Sequence, residues 1–300
     1  MHANHDLPTV AISQFTTMTR SFEDDLVDYR NAGICAIEVC ETKMSPDPEA
    51  ARQQLQRVVD AGFEIASVQP RVHSPFPDEM AETPEDPADR RAAFEKTIDL
   101  VADVVGEDSQ TPLLTITGKA PQHNFRESWQ TAAAWYRDVA DAAAKRGLRI
   151  AFEPLHPTHA NINTFITSLD QARRMLAEVG RPNFGLCFDT FNSWEERDLP
   201  LRLKRLAPSI FLFQACDWPE GGPRRLHDRT VPGAGRIDLP ALIEAVDEAG
   251  YPGPWVVEIL SDPDLPDSHW NDDPAELLPR CREGFLSAWR AAREEEATRD

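Results

Sequence analysis

Short apolar or β-branched runs alternate along the chain with longer segments whose apolar residues recur at helical spacing. The runs are TVAISQ at 9–14, AIEVC at 36–40, EIASV at 64–68, LLTIT at 113–117, RIAFE at 149–153, FGLCFD at 184–189, IFLFQ at 210–214 and WVVEI at 255–259. Several are apolar throughout rather than alternating, as parallel strands covered on both faces are. The pattern predicts eight strands, each followed by a helical segment.

The helical segments carry matching start and stop residues. One spans 21–32 and stops at Gly33; a second opens at Asp47-Pro48 and stops at Gly62. A third opens at Asp86-Pro87 and puts Phe94, Ile98, Val101 and Val105 on one face, and a fourth runs to Gly147. A fifth covers 167–179 before Gly180, a sixth opens at Asp238-Leu239-Pro240 and ends at Gly250, and Asp273-Pro274 opens the last. Ser, Thr and Asp accept the free N–H groups of a first turn, proline there forfeits no bond, and glycine takes the left-handed turn that ends a helix.

Strict strand–helix alternation means a parallel sheet, and 300 residues are the length of one closed α/β barrel, the (β/α)8 or TIM barrel. An open doubly wound sheet shares the alternation, but no GxGxxG follows an early strand. No shift in composition marks a linker, so residues 1–300 read as a single domain. The proline-rich stretch 70–87 reads as a long loop on the active face, and the acidic tail REEEATRD, about 293–300, as a fraying, solvated helix end.

Charge narrows the partners. With 31 basic and 51 acidic residues the net charge is -20, which repels nucleic acid and anionic membranes. No apolar run approaches the ~20 residues of a bilayer span, and the opening MHANHDLPTVAISQF holds no signal-peptide core, so a cytoplasmic location is expected. Cys35, Cys40, Cys187, Cys216 and Cys281 are scattered without a CxxC, which suits reduced thiols.

Barrels of this kind work at the C-terminal ends of their strands. Four consecutive late strands end in oxygen-bearing side chains: Glu153, Asp189, Gln214 and Glu258. Three carboxylates aimed at one axis repel each other unless a cation neutralises them. Oxygen-only donors select one hard divalent ion, Mn²⁺ first, with Mg²⁺ or Co²⁺ as substitutes.

The strings EPLHP, DTFNSW, FQACDWP and HDRTVPGAGRIDLPALIEAVDEAGYPGPWVVEIL resemble the xylose-isomerase-like barrel superfamily of sugar phosphate isomerases and epimerases, and its myo-inosose dehydratase-like members in particular. The resemblance implies metal ligation by Glu153, Asp189, Gln214 and Glu258, with Gln214 where many members have histidine. It also implies acid/base roles for Glu153 and Glu258 on opposite faces of the substrate. Many members place a substrate-holding histidine where this chain has Asn192, which donates a hydrogen bond but carries no proton. His156, in a tight Pro-Leu-His-Pro turn, is the candidate to supply that proton; His159 follows closely. Arg229, beside His227, is placed to clamp a substrate oxygen or else to pair with Asp228 or Asp217. Lys119 is a candidate for a substrate anion and Trp218 for stacking on a sugar face, whereas Trp194, Trp255 and Trp270 read as packing. Gln14, Glu38, Glu41 and Gln69 lie at or just past the early strands, where the resemblance places the substrate walls. Gly233 and Gly235 read as turn formers.

These readings imply a divalent-metal-dependent sugar or polyol isomerase or epimerase working through an enediolate. Two alternatives remain: a lyase of inosose dehydratase or 3-keto-glycoside type, and a non-catalytic polyol-binding barrel. An apurinic-site endonuclease shares the barrel but is disfavoured by the charge. A carbohydrate substrate is implied, and a homo-oligomer through the 70–87 loop or the last helix is compatible with the family's habit.

Overall fold

In the computed structural model, which describes residues 7–107 and 109–299, eight parallel strands close into one barrel. They are β1 (Val10–Ser13), β2 (Ala36–Cys40), β3 (Glu64–Gln69), β4 (Pro112–Thr115), β5 (Arg149–Phe152), β6 (Phe184–Asp189), β7 (Ile210–Ala215) and β8 (Trp255–Val257). Each pairs with the next, and β8 returns to β1 through Val10↔Trp255. All eight predicted strands are present. The helices are α1 (Phe22–Asn31), α2 (Pro48–Asp60), α3 (Pro87–Val105), α4 (Phe125–Lys145), α5 (Leu169–Val179), the single turn α6 (Thr190–Ser193), α7 (Leu199–Leu206), α8 (Leu239–Asp247) and α9 (Pro274–Arg299). The predicted acidic tail continues α9; Asp300 and the side chains from Glu295 onward lie outside the described residues.

Helix ends follow the capping chemistry. Ser21 Oγ accepts the Asp24 N–H at 3.1 Å, Asp47 that of Ala50 at 2.9 Å and Asp86 that of Ala88 at 2.7 Å. The exception is α7, which none of the seven start and stop signals covers. Its preceding Asp198 sits at φ 52 and caps nothing, and a proline-containing turn at Ala207–Ser209 follows in place of a glycine stop.

Two residues along a strand return to the same face, and this period places the site. Small and apolar side chains of Ala11, Ala36, Ala151, Cys187, Leu212 and Val256 form one interior cluster of the barrel. Two positions later on the same strands come Ser13, Glu38, Glu153, Asp189, Gln214 and Glu258, all buried. The intervening Ile12, Ile37, Phe152, Phe188, Phe213 and Val257 face outward and pack with the helices in the main core.

The 70–87 loop is built around a buried charge pair rather than left loose. Arg90, 0% exposed, donates Nε to Ser74 O at 2.6 Å and Nη1 to Ala81 O at 2.9 Å and Pro84 O at 2.8 Å. Asp78 accepts from Ser74 Oγ at 2.7 Å and from the N–H groups of Met80 and Ala81 at 2.9 and 3.0 Å. These bonds satisfy the loop's carbonyls and hold His73, Glu79 and Met80 at the barrel mouth.

Candidate active site

Each strand-end residue is carried into the barrel by the two-residue period, and the loops then decide its partners. Glu153 follows β5, and its Oε1 accepts from Asn192 Nδ2 at 2.6 Å. Asn192 sits on the single turn α6, and its Oδ1 accepts the His156 N–H at 3.0 Å. Asp189 ends β6, with Oδ1 taking the Phe191 N–H at 2.7 Å. Gln214, on β7, directs Nε2 to both oxygens of Glu38 at 3.0 and 3.1 Å and to Glu258 Oε1 at 3.2 Å; its own Oε1 accepts from Cys187 Sγ at 3.0 Å. Glu258, just past β8, also accepts from Gln69.

Arg229 is the cation at the centre of this set. Only 5% exposed, it donates through Nη1 to Asp189 Oδ2 at 2.6 Å and to Glu258 Oε2 at 2.7 Å. Its guanidinium lies 4.9 Å from the Phe191 ring centroid. Neither acidic partner considered from the sequence competes for it. Asp228 is held by Arg224, Nε to Oδ2 at 2.9 Å. Asp217 accepts the N–H groups of Trp218, Gly233 and Ile237, each at 2.9 Å, and so organises the glycine turn. A Cβ on Gly235 would lie 2.2 Å from Trp218 O, so the close approach of this turn requires glycine.

Glu38, fully buried, accepts from Ser67 Oγ at 2.6 Å and Gln69 Nε2 at 2.8 Å as well as from Gln214. The interior therefore holds four carboxyl groups, Glu38, Glu153, Asp189 and Glu258, around one guanidinium. Burial pushes Glu258 up to about 8 although Arg229 opposes the rise. Burial, reinforced by the charges of Asp189 and Glu258, carries Glu153 well above the usual carboxylate range. Glu38 is raised by burial as well, against the hydrogen bonds it accepts, Ser67 and Gln69 foremost.

The carboxyl and amide oxygens suit a hard divalent ion, because the site carries more buried acid than Arg229 balances. Arg229 is also incompletely satisfied: its Nε is buried without a hydrogen-bond partner. Glu153, Asp189 and Glu258 carry carboxylate oxygens of the kind such an ion takes, and Gln214 carries an amide oxygen.

A cavity of about 60 Å³ lies above these groups. Glu153, Glu258, Asn192, Arg229 and Gln69 supply polar wall, and Phe15, Leu114, Ile116, Leu155 and Leu260 much of the remainder. Other sequence candidates lie elsewhere. The His156 ring is outside this wall: Nδ1 meets Thr158 Oγ1 at 2.9 Å, Nε2 meets Glu195 at 3.5 Å, and the ring packs 5.1 Å from Trp218. Trp218 stacks 4.7 Å from Phe191, inside an aromatic cluster. Lys119 is exposed, and among the described residues only its backbone N–H is engaged, donating to Pro77 O at 3.0 Å. Gln14 is buried between Asp25 Oδ2 at 2.9 Å and the Cys40 N–H at 3.0 Å, and so braces β1 against β2. Glu41 accepts the Arg71 N–H at 2.9 Å.

The imidazoles in the wall are instead His73, His159 and His227. His159 is pulled down to about 3 by burial and by the charges of His227 and Arg229, from an ordinary value of 6.5. The folded protein keeps this ring neutral where the unfolded chain protonates it, so stability falls as pH drops from 6.5 toward 3, by up to about 1.4 kcal/mol per pH unit. In chelator-treated protein, urea midpoints measured between pH 7 and pH 4.5 will fall more steeply for the wild type than for His159→Asn. Parallel slopes would remove this assignment.

Comparison with known proteins agrees with the geometry. The profile of the family described as xylose isomerase-like TIM barrel matches residues 27–293. A 3-dehydroshikimate dehydratase of Pseudomonas aeruginosa is 33% identical over 131 residues, 42% of this chain and 20% of that protein. A 2-oxo-tetronate isomerase of Cupriavidus necator is 27% identical over 171 residues, 56% of this chain and 61% of that one. The matches thus span a fifth of the first relative and about three-fifths of the second. Among solved structures, the IOLI protein with a bound zinc atom superposes with a TM-score of 0.74 at 18% identity, covering 93% of this chain and 97% of that one.

Proposed function

Since this chain belongs to the xylose isomerase-like TIM-barrel family, we propose that it is a divalent-metal-dependent isomerase or epimerase of a small sugar or polyol, acting by proton transfer next to a carbonyl. The relatives are isomerases, epimerases and dehydratases. The observation that carries the reading is the pair of buried carboxyls, Glu153 and Glu258, that open onto one cavity with different environments.

Glu258 is bonded to Arg229, which favours its ionised form, and it is the base that removes a proton from substrate carbon. Glu153 has an amide rather than a guanidinium as its hydrogen-bond partner, and burial holds it well above the usual carboxylate range; it holds the proton that is returned. They follow β5 and β8, three strands apart around the barrel, and so flank the substrate from different sides. Asn192 fixes the orientation of Glu153, and Arg229 holds the substrate's oxyanion edge. Glu153, Asp189, Gln214 and Glu258 are the residues to hold the cation, with Mn²⁺ the first choice. When bound, that cation supplies the positive charge that stabilises an enediolate oxygen.

Elimination is the second reading, supported by two observations. One is the dehydratase relative; the other is the apolar wall of Phe15, Leu114, Ile116 and Leu155, which offers no side-chain partner to a densely hydroxylated sugar. In that case Glu153 delivers its proton to a departing β-hydroxyl, and the product is lighter by one water, which mass spectrometry distinguishes from an isomer.

Cation binding provides the first test. With Glu258 near 8 in the free protein, ligation displaces at least one proton, so Mn²⁺ affinity will rise with pH between 6 and 8, by up to about tenfold per unit. Calorimetry in buffers of different ionisation enthalpy counts the released proton. Absent or pH-independent Mn²⁺ binding would overturn the ligand assignment.

A further inference from the structure

A second cluster of ligand-type side chains lies at the mouth of the cavity, apart from the strand-end carboxylates. Glu79 comes from the β3–α3 loop, His159 from the loop after β5 and His227 from the loop after β7. One ligand atom from each lies within 4.8 Å of the other two. Among the described residues this is the one such group of His, Cys, Asp and Glu.

The three are already assembled by hydrogen bonds. His227 Nε2 donates to Glu79 Oε1 at 2.8 Å. Asn163 Nδ2 donates to the same oxygen at 2.6 Å and lies 3.1 Å from His159 Nδ1, while Asn163 Oδ1 accepts the Glu79 N–H at 3.1 Å. The two imidazole rings stand 5.2 Å apart.

The imidazoles are only half used. His159 is 2% exposed, and its Nε2 has no hydrogen-bond partner among the described residues; His227 Nδ1 is buried without one. His73, in the same wall, differs: Nδ1 meets Pro70 O and Nε2 meets Asp78, each at 3.2 Å. His73 is therefore committed to holding its loop, whereas His159 and His227 retain coordinating capacity.

We propose that Glu79, His159 and His227 form a binding site for a borderline divalent transition metal, Zn²⁺ or Co²⁺, distinct from the oxygen-rich donors at the strand ends. Two imidazoles and one carboxylate are a three-ligand set that zinc accepts while leaving a fourth position for water or a substrate oxygen. Nitrogen donors favour Zn²⁺ and Co²⁺ over Mg²⁺ and Mn²⁺, so the two sites differ in the ion they select. Bonds of about 2.0–2.2 Å draw the three ligand atoms closer together, and the Glu79–His227 hydrogen bond is exchanged for two metal bonds as the imidazole proton moves from Nε2 to Nδ1. Asn163, already bonded to Glu79 and His159, then acts as the outer partner that orients them. The consequence is mechanical as well as chemical, because the ion ties together three loops of unrelated sequence position across the cavity mouth.

The test uses the full chain, stripped with chelator and then held in excess Mg²⁺ to occupy hard-ion donors. Co²⁺ is titrated while visible d–d absorption and bound metal are measured. Wild type is expected to bind Co²⁺ with the intense visible bands of a low-coordinate nitrogen–oxygen site. In His227→Ala and Glu79→Gln, both at partly exposed positions, affinity for this equivalent will fall by more than about 100-fold, beyond the effect of losing an outer partner. Glu153→Gln will leave the bands in place, which separates this site from the strand-end carboxylates. No such bands in wild type, or bands and stoichiometry unchanged in His227→Ala, would overturn the proposal.

Discussion

Replacing Glu258 with glutamine is expected to slow proton exchange at substrate carbon by about 10²–10⁴-fold while the barrel stays folded. The side chain lies just past β8 and is bonded to Gln69, Gln214 and Arg229, so glutamine of the same length keeps an oxygen toward Arg229. It loses the ability to take a proton. The fold should tolerate the change, because glutamine matches glutamate in shape and the burial that pushes the Glu258 carboxyl up to about 8 penalises the charge that the substitution removes. A thermal midpoint within a few degrees of wild type, combined with the loss of exchange, identifies a chemical role. Exchange at wild-type rate would transfer the base assignment to another group.

The second large effect is one of stability. Arg229→Met removes the guanidinium shared by Asp189 and Glu258, whose oxygens lie 2.6 and 2.7 Å from Nη1. Leaving buried carboxylates without their cation costs about 3–5 kcal/mol. In chelator, the urea midpoint of the variant should fall accordingly. Added Mn²⁺ should then stabilise the variant more than the wild type, since in the wild type the guanidinium already neutralises two of the donors. An unaltered midpoint in chelator, or equal gains from Mn²⁺, would mean that Arg229 and the cation do not act on the same carboxylates.

Much of this site is visible in the sequence because a strand's two-residue period is simple. Glu153, Asp189, Gln214 and Glu258 stand two positions past small or apolar interior residues, and the same period buries Glu38. Glu38 stands out less in the sequence because it lies in the middle of AIEVC rather than at its end. Loops are less legible. His156 lies three residues from Glu153, yet the turn that follows directs its ring to Thr158 and Glu195 and puts His159 in the cavity wall. Glu79 carried no signal at all, since only folding brings it to His227. Nor does sequence reveal that Arg90 is the fully buried anchor of the 70–87 loop, because arginine in a helix usually faces water. The helix α7 went unmarked for a local reason: neither a side-chain cap nor a glycine stop brackets it. No helix among the described residues is long and apolar enough to cross a membrane.

Deuterium incorporation from D₂O into a panel of ketoses, inososes and 3-keto-glycosides, followed by NMR with chelator-stripped protein reloaded with Mn²⁺, tests the central claim most directly. The account predicts label at the carbon beside the carbonyl of at least one compound, dependent on the added ion and lost in Glu258→Gln. Protein that binds Mn²⁺ stoichiometrically yet labels none of them would contradict it and leave a barrel that binds polyols without transforming them.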